Sequence, residues 1–236
     1  MNILLDTHTH TIASGHAYST INEMITAAKE KGLSLLGITE HGPCMPGTCH
    51  TMYFMNTKVI PRNYDGLEVL FGAEANIINY DGSIDFKPDT ISCIDYMVAS
   101  LHTPCIKPGT CLENTKAYLA AMKQPKVCII GHPDDGRYPI DYKELVMAAK
   151  EYHVLLEVNN SSLSPNSFRA NAKENILKML SLCKEYEVAV ILNSDAHINK
   201  DVGNFIYSKP ILEEAGFPEH LIVNTSVALF KTYLPY

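Results

Sequence analysis

Two short patterns in the sequence set metal-binding groups side by side. His8-Thr9-His10 places two imidazoles two residues apart, and Asp195-Ala196-His197 does the same for a carboxylate and an imidazole. Side chains of an extended segment repeat every second residue, so each pair projects from one face, which is what chelation needs. His16, His41, Glu74, His102 and His132 add groups of the same chemistry. These nine residues suffice for three divalent ions with three or four protein ligands each, leaving positions open for water or substrate. A set of imidazoles and carboxylates without thiolates suits zinc, with manganese or iron as alternatives. His50, His153 and His220 stand alone and read as loop or half-buried residues. Cys44 and Cys49, with His50, lack a second cysteine pair, so packing or loop roles account for them better than a zinc site.

Other residues are candidates for supporting roles. Arg137 lies five residues past His132; its two-pronged guanidinium is either a phosphate clamp or a solvated surface group. Lys107, five past His102, has the same two readings. Asn159 ends an apolar run, where it either orients substrate or water or caps the backbone. Asp6 could hydrogen-bond a ligand imidazole from behind. Asp134 and Asp135 lie near His132 and either donate a proton to a leaving group or cap a turn.

Elements that position these residues are visible as short apolar runs: Ile3 to Leu5, Leu35 to Ile38, Val69 to Phe71, Tyr96 to Ala99, Val127 to Ile130, Val154 to Val158 and Val188 to Leu192. They recur about every 30 residues, the length of one strand-plus-helix unit. Thr20 and Glu23 form a capping box ahead of Met24, Ile25 and Ala28, and Gly32 stands where a helix ends. Asp141 and Glu144 predict a second box, and residues Lys173 to Glu185 a third helix with Ile176, Leu177, Leu180 and Cys183 on one face. Continuously apolar strands joined by helices imply a parallel sheet buried on both sides. An open sheet gathers ligands at one switch point, whereas a barrel gathers them from the ends of most strands. Here nearly every run ends in a metal-capable residue. The expected architecture is therefore α/β, a TIM-like barrel of seven βα units, in one domain over residues 1–236.

The chain of 236 residues is 46% hydrophobic and 19% charged, which excludes a mainly disordered protein. Its formal charge of −7 argues against a nucleic-acid footprint or a polybasic membrane patch. No secretory signal and no apolar run of about 18 residues is present, so neither export nor membrane spanning is expected, and the protein is expected in the cytoplasm. Seven scattered cysteines are expected to stay reduced.

His8-Thr9-His10, Gly37-Ile38-Thr39-Glu40-His41, Glu74, His102, Gly131-His132-Pro133 and Ser194-Asp195-Ala196-His197 together resemble the PHP superfamily, named for polymerase and histidinol phosphatase. Met45-Pro46-Gly47, Gly72-Ala73-Glu74-Ala75-Asn76-Ile77 and Glu157-Val158-Asn159-Asn160-Ser161-Ser162 resemble its YcdX-type phosphatases more narrowly. That resemblance implies a distorted seven-stranded barrel and a trinuclear site. It assigns His8, His10, Glu74 and Asp195 to one ion, Glu74, His102 and His132 to a second, and His16, His41 and His197 to a third. Glu40 stands where many members have Asp, and the loop with Gly136-Arg137-Tyr138 varies among them.

Three clustered dications less two carboxylates leave a site of charge about +4, which draws a phosphate even to an acidic protein. Bridging water with its pKa lowered from about 15.7 towards 7 would supply hydroxide for in-line attack. No Cys-x5-Arg loop or Ser-His-Asp elbow competes with that mechanism. The implied activity is hydrolysis of a small phosphomonoester, a phosphorylated metabolite, with no nucleic-acid or membrane partner. Alternatives are a PHP-type phosphodiesterase or nuclease, or histidinol-phosphate phosphatase.

Overall fold

The computed structural model describes residues 1–234; residues 235 and 236, the last two of the expected domain, lie outside them. Its elements run β1 (Leu5–Asp6), α1 (Ile21–Glu30), β2 (Leu35–His41), α2 (Thr51–Met55), β3 (Asn63–Tyr64), β4 (Leu67–Asn76), α3 (Pro88–Ile91), β5 (Met97–Ser100) and α4 (Cys111–Ala121). They continue as β6 (Val127–Ile130), α5 (Tyr142–Tyr152), β7 (Leu155–Asn159), α6 (Ala172–Tyr186), β8 (Val190–Asn193), α7 (Ser208–Glu214) and α8 (Val227–Lys231). All seven apolar runs are strands, and they pair in parallel in the order β1-β2-β4-β5-β6-β7-β8. The result is one α/β domain, a nearly closed seven-stranded barrel. No helix among the described residues is long and apolar enough to cross a membrane.

The strand absent from the sequence reading is β3, which pairs antiparallel with β4. Asp65 and Gly66 join them with φ of 53° and 96°. Two consecutive positive φ values fit the tight hairpin turn that an Asp-Gly pair favours.

Caps explain where the helices start. Thr20 and Glu23 form the reciprocal box, with Glu23 accepting from the Thr20 N–H at 2.7 Å. Asp141 accepts from the N–H groups of Lys143 and Glu144, but its own N–H donates to Thr115 Oγ1, so the expected second box is only half formed. A full box stands instead at Thr110 and Glu113, ahead of α4. On α6 the buried stripe is Ile176, Met179, Leu180 and Cys183, and Leu177 is only partly covered.

The barrel lumen is filled at its lower end by Leu5, Leu35, Val98, Ile129, Leu155 and Ile191, closed from below by Tyr96 and Phe230. Tyr96 donates its hydroxyl to Thr7 O at 2.6 Å, crossing the space beside Gly37, where a Cβ would collide with that hydroxyl. Period-two alternation carries the inward direction up each strand. Leu70 packs with the lumen cluster, so Glu74 and Asn76 share its face; Leu155 aligns with Glu157 and Asn159, and Ile191 with Asn193. Apolar residues thus fill one end of the lumen and polar ones the other.

Closure between β1 and β8 uses few ladder bonds. Thr9 and Ala196 form an isolated parallel bridge, and Asp195 N–H donates to His8 O at 3.0 Å. Lower down, Asn224 plugs the seam: its Nδ2 donates to Leu5 O at 3.0 Å and Leu192 O at 2.7 Å, and its Oδ1 accepts from Leu192 N–H at 2.8 Å. Each lost bond of this kind strands a buried backbone group at about 1 kcal/mol or more. Asn224→Ala is therefore expected to lower the unfolding free energy by about 3 kcal/mol in urea titration, whereas Asn166→Ala, on an exposed loop, should change it by less than about 0.5 kcal/mol.

Candidate metal centre

All nine residues singled out by type and spacing meet at the polar end of the barrel. Glu74, 1% exposed, lies at their centre. Its Oε1 is 3.4 Å from His8 Nε2, 3.2 Å from His102 Nε2 and 3.0 Å from His132 Nε2. Its Oε2 is 3.5 Å from His10 Nε2 and 2.6 Å from His41 Nδ1. Asp195 Oδ1 faces His10 Nε2 at 3.4 Å and His8 Nε2 at 3.7 Å. On the outer side, His16 Nε2 stands 3.2 Å from both His41 Nε2 and His197 Nε2. Donor atoms of His8, His10 and Glu74 lie within 4.8 Å of one another, as do those of His41, Glu74 and His102, and those of His10, His41 and His197.

Burial and hydrogen bonding test whether divalent ions fit this cluster. His8 Nδ1 is 2.7 Å from Glu157 Oε1, so Nδ1 carries a proton and Nε2 is the ring atom turned to the centre. That atom, His10 Nε2 and Glu74 Oε2 are buried with no hydrogen-bond partner. Buried donor atoms turned towards one another with no protein partner fit a cation between them. The nitrogen and oxygen donors, with no sulfur among them, fit zinc, manganese or iron.

Burial and neighbouring charge shift these groups in different directions. Burial, then the neighbouring His41 and His197, hold His10 well below the usual imidazole range, and the same causes lower His16. Burial also lowers His102. Burial acts to raise Glu74, but His102, His8 and His41 outweigh it and hold the carboxyl well below its usual range. His8 is the exception: burial is overcome by Glu157, Glu74 and Asp195, which raise it. Two of the nine residues also carry backbone strain, His132 at φ 29° and Asp195 at φ 54°. Such strain costs about 1–3 kcal/mol each and persists only where the surroundings enforce it.

The supporting residues make the following contacts. Arg137 is turned onto Asp135, with its Nη2 2.6 Å from Asp135 Oδ2 and its guanidinium over the exposed ring of Phe168. Lys107 is exposed. Asp6 touches no imidazole; it accepts from Ser194 N–H, Ser194 Oγ and Gly203 N–H and so ties down the turn that carries Asp195. Asn159 donates to Glu157 and Asp195 and accepts from Ser162 N–H and Arg169 Nη1. Those four bonds exhaust a carboxamide, so Asn159 organises the site's walls. His50 caps α2 through Nδ1, and no cysteine belongs to a metal-capable group among the described residues.

The sequence reading missed Arg169. Its Nη2 donates to Asp195 Oδ2 at 3.0 Å and its Nη1 to Asn159 and Ser162, which places a guanidinium one carboxylate away from the centre. Nothing in the Ser- and Asn-rich loop around it marks it as special. Glu157 was also left without a role, although its two-residue spacing from Asn159 puts it on the inward face.

Residues 6–194 match the PHP domain family, a stretch that ends one residue short of Asp195. The chain belongs to the PHP family. A probable phosphatase of Caldicellulosiruptor saccharolyticus is 44% identical over 234 residues, covering 99% of this chain and 97% of that one. A probable phosphatase of Caldanaerobacter subterraneus is 47% identical over 236 residues, covering 99% and 92%. The PHP barrel also superposes on a solved histidinol phosphate phosphatase from Lactococcus lactis, complexed with zinc, L-histidinol and phosphate. That match has a TM-score of 0.64 at 17% identity, over 91% of this chain and 94% of that one.

Within this PHP site Asp134 is a buried carboxyl with no hydrogen-bond partner for either oxygen. Burial pushes it up to about 7 from an ordinary 3.8. An acid whose pKa is raised on folding keeps a proton that the unfolded chain has lost, so it lowers stability as pH rises from about 4 to about 7. Asp134→Asn should remove that loss. The unfolding free energy of the variant minus that of the parent is expected to be at least about 1 kcal/mol larger (the variant relatively more stable) at pH 8 than at pH 5; equal differences at both pH values would refute it.

Proposed function

We propose that residues 1–236 form a metal-dependent phosphatase that hydrolyses a small phosphomonoester. In this reading His8, His10, Glu74 and Asp195 hold one divalent ion, Glu74, His102 and His132 a second, and His16, His41 and His197 a third, with zinc favoured. The observation that carries it is the set of bare, buried nitrogens facing the Glu74 and Asp195 carboxylates. The curated relatives named as phosphatases, and the zinc and phosphate held by the Lactococcus lactis protein of the same fold, support the same reading.

Divalent ions in such a cluster polarise phosphoryl oxygens and lower the pKa of a bound water. The protein's own groups do the rest. Glu157 fixes the His8 ring and donates no proton, so the ring presents Nε2 to the centre. Arg169 keeps its Nε–H and one Nη2–H clear of protein partners among the described residues, available to a phosphoryl oxygen beside Asp195. A terminal phosphate dianion can be held by one such pocket, which leaves the rest of the surface free to be acidic. A polynucleotide instead draws affinity from several Lys or Arg contacts along its backbone, and this chain has 19 such residues against 26 acids.

Protein supplemented with zinc should carry about three ions per chain by elemental analysis, and Glu74→Ala should lose more than one of them because its carboxylate serves two sites. One ion or none in the parent would overturn the trinuclear reading. With the same preparation, para-nitrophenyl phosphate should be cleaved faster than its bis-ester or a short single-stranded oligonucleotide, and a panel of phosphorylated metabolites that includes histidinol phosphate identifies the substrate. Preference for the bis-ester or oligonucleotide would instead favour a nuclease. Arg169→Ala should lower kcat/KM about 10- to 100-fold, the loss of a charge-assisted hydrogen bond, at unchanged metal content.

A further inference from the structure

Two carboxylates outside the ligand set, Glu40 and Asp85, are each linked to one of its histidines through a single polar side chain. Glu40 is buried and accepts from Thr11 N–H, from Thr11 Oγ1 at 2.5 Å, from Ser14 Oγ at 2.5 Å and from Tyr53 Oη at 3.2 Å. With four donors around it, it is an acceptor only, so the Ser14 hydroxyl proton points at Glu40. Ser14 Oγ then has only lone pairs left, and it accepts from His41 N–H at 3.1 Å and from His10 Nδ1 at 3.1 Å. The His10 proton is therefore on Nδ1, and its Nε2 is bare.

Asp85 imposes the same order by a different route. It accepts from Asn76 N–H at 2.9 Å, Asn76 Nδ2 at 2.6 Å and Cys44 N–H at 2.8 Å. Asn76 Nδ2 also donates to Gly42 O at 3.2 Å. A flipped amide would set its oxygen against a carboxylate and a carbonyl, so Asn76 Oδ1 is fixed towards His102 Nδ1, 2.7 Å away. His102 in turn carries its proton on Nδ1 and shows a bare Nε2 to Glu74.

We propose that Glu40 and Asp85 are positioning residues that act through Ser14 and Asn76 to lock His10 and His102 in the Nδ1-protonated tautomer, so that both rings offer Nε2 as a metal ligand. This tautomer is the opposite of the one free imidazole favours, so it has to be imposed. The proposal rests on the metal-centre reading above. Groups that orient a ligating histidine typically contribute 10- to 100-fold in metal affinity.

The substitutions Glu40→Gln and Asp85→Asn keep shape and add an amide donor, which reverses the relay. Nitrogen-15 NMR of the imidazoles in zinc-free protein reads the tautomers, and competition with a zinc-chelating dye reads affinity. Glu40→Gln is expected to move the proton of His10 to Nε2 and leave His102 as in the parent; Asp85→Asn should do the converse. Each should weaken zinc binding about 10- to 100-fold. Loss of stability alone would not move one ring and spare the other. If Glu40→Gln does not fold, Ser14→Ala breaks the same relay and should release the His10 tautomer. Unchanged tautomers, or zinc affinity within about 3-fold of the parent, overturn the relay while the metal centre stands. A parent that binds no zinc overturns the metal-centre reading and the affinity claim with it.

Discussion

The structure depends on keeping one buried carboxylate charged. Glu74 has ring nitrogens of five histidines, at 8, 10, 41, 102 and 132, within 3.5 Å. Taking an isolated carboxylate out of water costs several kcal/mol, and it persists only where positive charge or donors compensate it. The rings of His8, His10 and His102 turn Nδ1 to Glu157, Ser14 and Asn76 and leave Nε2 facing the carboxylate. Buried donor atoms without a protein partner, His8 Nε2, His10 Nε2 and Glu74 Oε2, are thereby assembled at the polar end of the barrel.

That assembly explains the construction of the barrel. The lower lumen is apolar and tightly filled, which anchors the strands on which the polar residues sit. The upper ends of the strands and the segments that follow them carry the clustered residues, two of which, His132 and Asp195, have positive φ. Closure at the seam is achieved with side chains, Asn224 below and Asn193 above, where Thr7 N–H donates to Asn193 Oδ1 at 2.8 Å. Asp6 locks the adjoining turn through Ser194 and Gly203. The distortion that keeps the sheet from closing by ladder bonds therefore brings His8 and His10 beside Asp195.

Positive charge is placed asymmetrically. Arg169 shares Asp195 with the centre, and Asn159 and Ser162 hold its fork. Arg137 is equally a loop arginine on the same side of the barrel, yet Asp135 claims it at 2.6 Å. The two loops that carry them are joined by Gly136 N–H donating to Ala170 O at 2.7 Å, and by Asn175 Nδ2 donating to Asp134 O at 2.8 Å. This packing, not the distance of each arginine from a histidine in sequence, selects which guanidinium reaches the site.

The sequence by itself determined the strands, the barrel and the identity of the nine clustered residues. Those signals are local: apolar runs of strand length, two-residue spacing in His8-Thr9-His10 and Asp195-Ala196-His197, and a metal-capable residue after nearly every run. The Asp65-Gly66 hairpin was equally local and was overlooked. Tertiary structure alone decided the contacts of Arg169, Asp6, Glu40 and Asp85. Asp6 meets its partner Ser194 across 188 residues, and Glu40 meets Ser14 across 26. A hydrogen bond depends on a few tenths of an ångström and on the direction of a lone pair. Those are set when the barrel closes and its loops pack, and no periodicity in the chain encodes them.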